Sequence, residues 1–278
     1  MKNPVLDQLA KQIEELRQEL NHAVQTNPES LHTLKIQALS VRLDAVIAQF
    51  LGHRKKPTSD HSLLPRQSCE SAVERYPEPT RSERAGIQDE FRRSGVNAMN
   101  ALPWGTHLCQ FYQGRQDLTD ILVPYFRAGL EHNGFCLWVT CEPLDQDEAA
   151  EAMARAMPGF DMYLEKGQIE ILPCSGWYFG DGAFGLQRVL DAWAGKLNQA
   201  LAKGYDGMRA SGNAAWLEPK DWKGFMEYEN LINNVIRRYR VMAICSYPID
   251  KCGPRQTMDV LRNHQLALIK ETGGWQLV

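Results

Sequence analysis

The chain has 278 residues, 44% of them hydrophobic and 23% charged, with a net charge of −3. That length suits about two domains, and that apolar share suits a packed core. The near-neutral charge gives no electrostatic footprint for nucleic acid or an anionic membrane, and neither is expected as a partner. The longest aliphatic run, residues 241–245, is far too short to span a bilayer. Lys, Asp and Glu interleave with apolar residues at the amino terminus, unlike a signal peptide. Seven cysteines, an odd number scattered through strand-like segments, suggest no disulfide framework. The expected location is a reducing cytoplasm.

Asn3-Pro4 and Asn27-Pro28 each place a capping side chain before a proline at the first helical position. Behind them run two heptad-like seams, Leu6, Leu9, Ile13, Leu16 and Leu20, then Ile36, Leu39, Leu43, Val46 and Phe50. Residues 1–52 are therefore expected to form an antiparallel helical hairpin, too small to bury much surface alone. A homodimer or a protein partner would cover it.

The hairpin resembles the short aspartyl-phosphate phosphatases that act on sporulation response regulators. The likeness rests on residues 13–20 of the first helix and on Ser40-Val41-Arg42-Leu43-Asp44 in the second. The family signature there is Ser-Gln-Glu/Lys-Leu-Asp; Ser40, Leu43 and Asp44 match it. The resemblance implies docking on a response regulator's receiver domain, and it makes Asp44 and Ser40 the catalytic pair if the hairpin is a phosphatase. Four residues apart, they share a helical face. Val41 stands where the family has glutamine and cannot orient a water, which counts against catalysis. A plain dimerisation hairpin stays open as an alternative.

From residue 53 to 101 the periodicity disappears. Prolines 57, 65, 77 and 79 punctuate a stretch rich in Arg, Glu and Ser, which is expected to be a mobile tether.

Residues 102–278 alternate strand and helix patterns. Strands are expected near 105–112, 135–140, 168–172, 207–212, 241–245 and 266–270, with residues 275–277 as a closing hairpin. Helices are expected over 117–132, 144–156, 183–203, 222–239 and 255–263, and Trp177-Tyr178 falls in a glycine-bounded loop. Nearly continuous apolar strands point to an α/β domain, a mostly parallel sheet with helices on both faces. Its binding crevice should lie at the carboxyl ends of the strands. After the first strand, Gln113-Gly114-Arg115-Gln116-Asp117-Leu118 occupies the place of a P-loop, which would end in Gly-Lys-Ser/Thr. One glycine supplies no phosphate cradle, so neither ATP hydrolysis nor any cofactor is expected.

Several motifs in order make this region resemble the MEDS domain, the methanogen/methylotroph sensory domain also found in a dichloromethane-responsive repressor. They are His107-Leu108-Cys109-Gln110-Phe111-Tyr112, Trp138-Val139-Thr140-Cys141-Glu142-Pro143, Trp216-Leu217-Glu218, Cys245-Ser246-Tyr247-Pro248, Asp250-Lys251-Cys252-Gly253 and His264-Gln265. The resemblance implies a RecA/KaiC-like fold without its P-loop, and a sensory role toward small hydrocarbon derivatives.

Residues just past the strand ends are ligand-binding candidates: Tyr112, Glu142, Asn213 and Tyr247. Trp177, Tyr178 and Trp216 offer aromatic walls, Arg209 an anion partner, and His107, Cys109 and His264 polar anchors. No metal is expected, although His107, Cys109, Cys252 and His264 would suit a thiophilic ion if they converged. The function that follows is a signalling regulator with a small-molecule sensor and a docking hairpin. The alternatives are an active phosphatase gated by the sensor, and a dimeric ligand- or metal-binding module without catalysis.

Overall fold

A computed structural model describes residues 90–278 apart from 181, 183 and 273, together with Lys11 and Glu15. The chain divides into two units, residues 1–64 and 65–278. In the first, Lys11 and Glu15 are helical and form an i,i+4 ion pair at 3.6 Å. The rest of the hairpin, with Ser40 and Asp44, and the stretch from 53 to 89 lie outside the described residues.

The second unit is built on a seven-stranded sheet. Its strands are β3 (His107–Tyr112), β4 (Phe135–Thr140), β5 (Ile169–Pro173), β6 (Met208–Asn213), β7 (Val241–Pro248), β8 (Leu266–Glu271) and β9 (Gly274–Leu277). Their order is β5-β4-β6-β7-β3-β8-β9. All neighbours are parallel except β9, which turns back antiparallel on β8. The helices are α1 (Arg115–Glu131), α2 (Gln146–Ala156), α3 (Asp161–Glu165), α4 (Leu186–Ala202), α5 (Trp222–Ile236) and α6 (Pro254–Asn263).

Strand periodicity splits the interior into two cores. Leu108, Tyr112, Trp138, Met242 and Ile244 pack on one face of the sheet with α1 and α2. Cys109, Phe111, Leu137, Val139, Ala243 and Tyr247 pack on the other with α4 and α5. Both faces are covered, as parallel sheets require, because each crossover lays a helix on one of them. Trp177 and Tyr178, expected in a loop, lie in a π-helical turn (Ser175–Phe179).

Two expectations are corrected. The tether does not extend to residue 101, because β1 (Phe91–Arg93) pairs antiparallel with β2 (Ala101–Pro103), and Val96, Met99, Leu102 and Trp104 are buried. This segment has no periodicity of its own. What holds it is remote: the guanidinium of Arg209 donates to the carbonyls of Arg93, Ser94 and Tyr125. The cysteines, too, are not all unpaired, since Cys141 and Cys174 form a disulfide. They stand 33 residues apart, so spacing alone shows no framework. The β4–β5 register, which ends at Thr140 opposite Pro173, sets them side by side.

Candidate functional site

On the α4–α5 face, four ionisable side chains from four elements meet inside the protein. β3 opens with His107, and β7 carries Cys245 on the neighbouring strand. Glu229 comes from the middle of α5, and His264 from the residue that ends α6. His107 Nε2 lies 3.3 Å from Cys245 Sγ and 3.4 Å from Glu229 Oε2. His264 Nε2 lies 3.5 Å from the same carboxylate oxygen, and Cys245 Sγ is 3.8 Å from it. The two imidazole rings sit 4.2 Å apart.

Burial drives all four groups toward their neutral forms. His107 and Glu229 are fully shielded from solvent. Desolvation raises the Glu229 carboxyl to about 8, against the smaller opposing effects of Tyr247 and Cys245. It lowers His264 to about 4, despite the Val260 carbonyl. His107 falls well below the usual imidazole range through burial and then His264, and the Cys245 thiol rises through burial and then Glu229. His264 Nε2 is buried without a close hydrogen-bond partner, while His107 stands beside Asn233 and the Asn263 backbone and Glu229 beside Tyr247.

Beside this cluster opens a cleft of about 1180 Å³, at the carboxyl ends of β6 and β7 and between α5 and α6. Leu217, Met226 and Tyr247 give it an apolar floor, and Lys223, Glu227 and Arg255 belong to its polar lining. Tyr247 belongs to both features: it lines the cleft and its ring meets His264 edge-on at 5.8 Å.

Residues 106–265, more than half of the chain, match the family model described as the MEthanogen/methylotroph, DcmR Sensory domain, MEDS. The chain belongs to the MEDS family. Residues 9–51 match a second model, Spo0E like sporulation regulatory protein. With a sensory domain and a sporulation regulatory segment in one chain, the protein is a signalling regulator. Among solved structures it is similar to a KaiC-like protein from the hyperthermophilic archaeon Pyrococcus horikoshii OT3. That likeness has 14% identity and a TM-score of 0.46, over 65% of this chain and 80% of that one. The flagellar accessory protein FlaH from Methanocaldococcus jannaschii is similar at 9% identity and a TM-score of 0.44, over 66% and 81% of the two chains. No curated protein sequence matches.

The MEDS domain spreads the residues singled out in the sequence over several places. Of the ligand-binding candidates, Tyr247 lines the cleft. His107 and His264 belong to the buried cluster, whereas Cys109 and Cys252 are not among its four ligand groups. Cys109 faces the Leu266 carbonyl, and Cys252 lines the cleft with its thiol raised by burial to about 11. Tyr112 donates to Asn213 Oδ1 at 3.0 Å, and that oxygen also accepts from the Ala215 amide. Trp177 meets Trp193 edge-on, while Tyr178 packs against Trp216 and Phe225, so all three candidates build an aromatic core. Glu142 is exposed. Arg209 is no anion site, because three backbone carbonyls hold its guanidinium in the interior.

Where P-loop proteins cradle phosphate, only Gln113 and Gly114 separate β3 from α1. The Gln113 amide donates to Asp117 Oδ2 at 2.8 Å, and Lys270 donates to Asp117 Oδ1 at 2.6 Å. The amino end of α1 thus holds a carboxylate of its own chain.

Glu229 and Cys245 were not among the candidates read from the sequence. Glu229 nevertheless left a signal, for it interrupts the apolar stripe of Phe225, Ile232 and Ile236 at helical spacing. A charged residue on a core-facing stripe is rare unless something pairs with it. Cys245 left none, since a thiol in an apolar strand reads as packing.

Proposed function

We propose that this protein is a cytoplasmic regulator whose MEDS domain senses a simple hydrocarbon derivative in the α5–α6 cleft. The amino-terminal hairpin docks on the receiver domain of a sporulation-type response regulator. The cleft carries this reading: it lies at the strand ends, where open α/β sheets bind ligands, and it joins an apolar floor to a polar lining. A small apolar molecule with one polar group suits that lining. The Spo0E-like segment supplies the expected output.

The test is calorimetric titration of the whole chain with short alcohols, halomethanes and methylamines, repeated on Met226→Trp, which fills the floor. One class should bind, with affinity at least about tenfold weaker in the filled variant, as loss of a pocket's apolar contacts implies. No binding by any class, or equal binding by both proteins, sinks the sensor assignment. A second reading, an active phosphatase, is favoured by Ser40, Leu43 and Asp44 and opposed by Val41. Slow phosphate release from a phosphorylated receiver, accelerated in Val41→Gln, is the expected result. Rapid turnover by the wild type that Asp44→Ala abolishes would establish the phosphatase instead.

A further inference from the structure

Four side chains of metal-ligating kinds bring one donor atom each to a single point inside the protein. His264 Nδ1 lies 2.8 Å from the Val260 carbonyl. A carbonyl only accepts, so this nitrogen carries the ring's proton. The Nε2 of the neutral ring then turns its lone pair toward Glu229 Oε2 and the centre of the cluster. This is how metal-ligating histidines are held: one nitrogen donates to a backbone carbonyl and the other faces the ion. His107 offers the same arrangement. Its Nε2 faces the cluster, and beside the ring lies Asn233, whose buried Oδ1 is suited to take Nδ1–H.

We propose that His107, Glu229, Cys245 and His264 bind one zinc ion in a closed, four-ligand site. The geometry carries the proposal. Four donors about 2.0–2.3 Å from a tetrahedral zinc are about 3.3–3.8 Å from one another. Four of the observed separations are 3.3, 3.4, 3.5 and 3.8 Å. No pair of ligand atoms is further apart than 4.8 Å. Two imidazoles, a thiolate and a carboxylate form a mixed donor set that zinc accepts, whereas calcium and magnesium want oxygen alone.

Charge agrees with geometry. A divalent ion with one thiolate and one carboxylate is a neutral unit, which a buried site tolerates far better than isolated charges. Binding releases the protons that Glu229 and Cys245 hold when the site has no ion. Because the protein supplies all four ligands, no position is open for substrate, and the role is structural. The ion would tie β3, β7, α5 and the entry to β8 together directly behind Tyr247. Zinc here does not depend on what the cleft binds.

The test uses the full chain, produced in zinc-supplemented medium and dialysed, with metal measured by inductively coupled plasma mass spectrometry. The wild type should hold about one equivalent, as a four-ligand site requires. Cys245→Ser and His264→Gln should hold at least about tenfold less after the same dialysis, while Cys252→Ser keeps its zinc. Cobalt in place of zinc gives an independent reading should a variant fold poorly. The wild type should show a near-ultraviolet thiolate-to-cobalt band with visible bands of tetrahedral intensity. Less than about a tenth of an equivalent in the wild type overturns the proposal. Full occupancy in both Cys245→Ser and His264→Gln does so too, as does a cobalt spectrum without a thiolate band.

Discussion

Replacing Arg209 tests whether one buried cation holds the segment that precedes the MEDS domain in place. The residue is 1% exposed on β6, beneath α1. Gly129 lets it pass, since a Cβ there would come within 2.7 Å of Arg209 Cδ. The guanidinium donates to Ser94 O at 3.0 Å, to Tyr125 O at 2.9 Å and to Arg93 O, and lies 5.1 Å from the Tyr125 ring. Arg209→Met keeps much of the volume but strands the carbonyls of Arg93 and Ser94, each worth about 1–3 kcal/mol if buried and unmet, while Tyr125 within α1 keeps its helical bond. The loop carrying Arg93 and Ser94 can swing toward water and recover part of this. A net loss of about 3–5 kcal/mol is expected, a large share of a typical domain's 5–15 kcal/mol. Arg209→Lys keeps the charge but not the fork, and should lose about 2–3 kcal/mol. Urea unfolding followed by tryptophan fluorescence measures this unit alone, because all seven tryptophans lie at or beyond residue 104. Amide exchange across residues 91–103 should accelerate in step. A loss below about 1 kcal/mol in Arg209→Met, with exchange at 91–103 unchanged, would refute the anchoring argument.

Other outcomes follow from the same structure. Limited proteolysis should release a fragment beginning before residue 90, because β1 and β2 are folded onto the domain. A stable fragment starting at residue 101 would contradict that packing. ATP with magnesium should give no binding heat at millimolar concentration, since Asp117 holds the amino end of α1; micromolar affinity would show a phosphate site in an unforeseen place. Acid stability should depend on Asp117. Burial alone would raise its carboxyl, but hydrogen bonds from Lys270 and the Gln113 amide, with the Lys270 charge, hold it below the usual range. A depressed folded pKa adds stability above the unfolded carboxyl pKa, and that stability is lost as pH falls through the folded value. Asp117→Asn should therefore flatten the acid limb of the stability profile, and an unchanged limb would show the pair to be idle.

The sequence by itself determined the architecture of the carboxyl-terminal half. Nearly continuous apolar runs in β3, β4 and β7 and helical stripes in α4 and α5 are local patterns. Each strand therefore announces burial on both of its faces and each helix its buried side. The missing Gly-Lys-Ser/Thr and the family motifs were equally local and equally legible. Tertiary structure alone decided what depends on residues far apart in the chain. Arg209 read as an anion partner because its partners, the carbonyls of Arg93, Ser94 and Tyr125, are backbone groups and carry no sequence signal. Cys141 and Cys174 became a pair only through the β4–β5 register. His107 and His264 were visible as chemistry, but their company was not. Glu229 and Cys245 join them because α5 crosses the strand pair β3–β7 at that point, and a crossing point is set by packing, not by spacing.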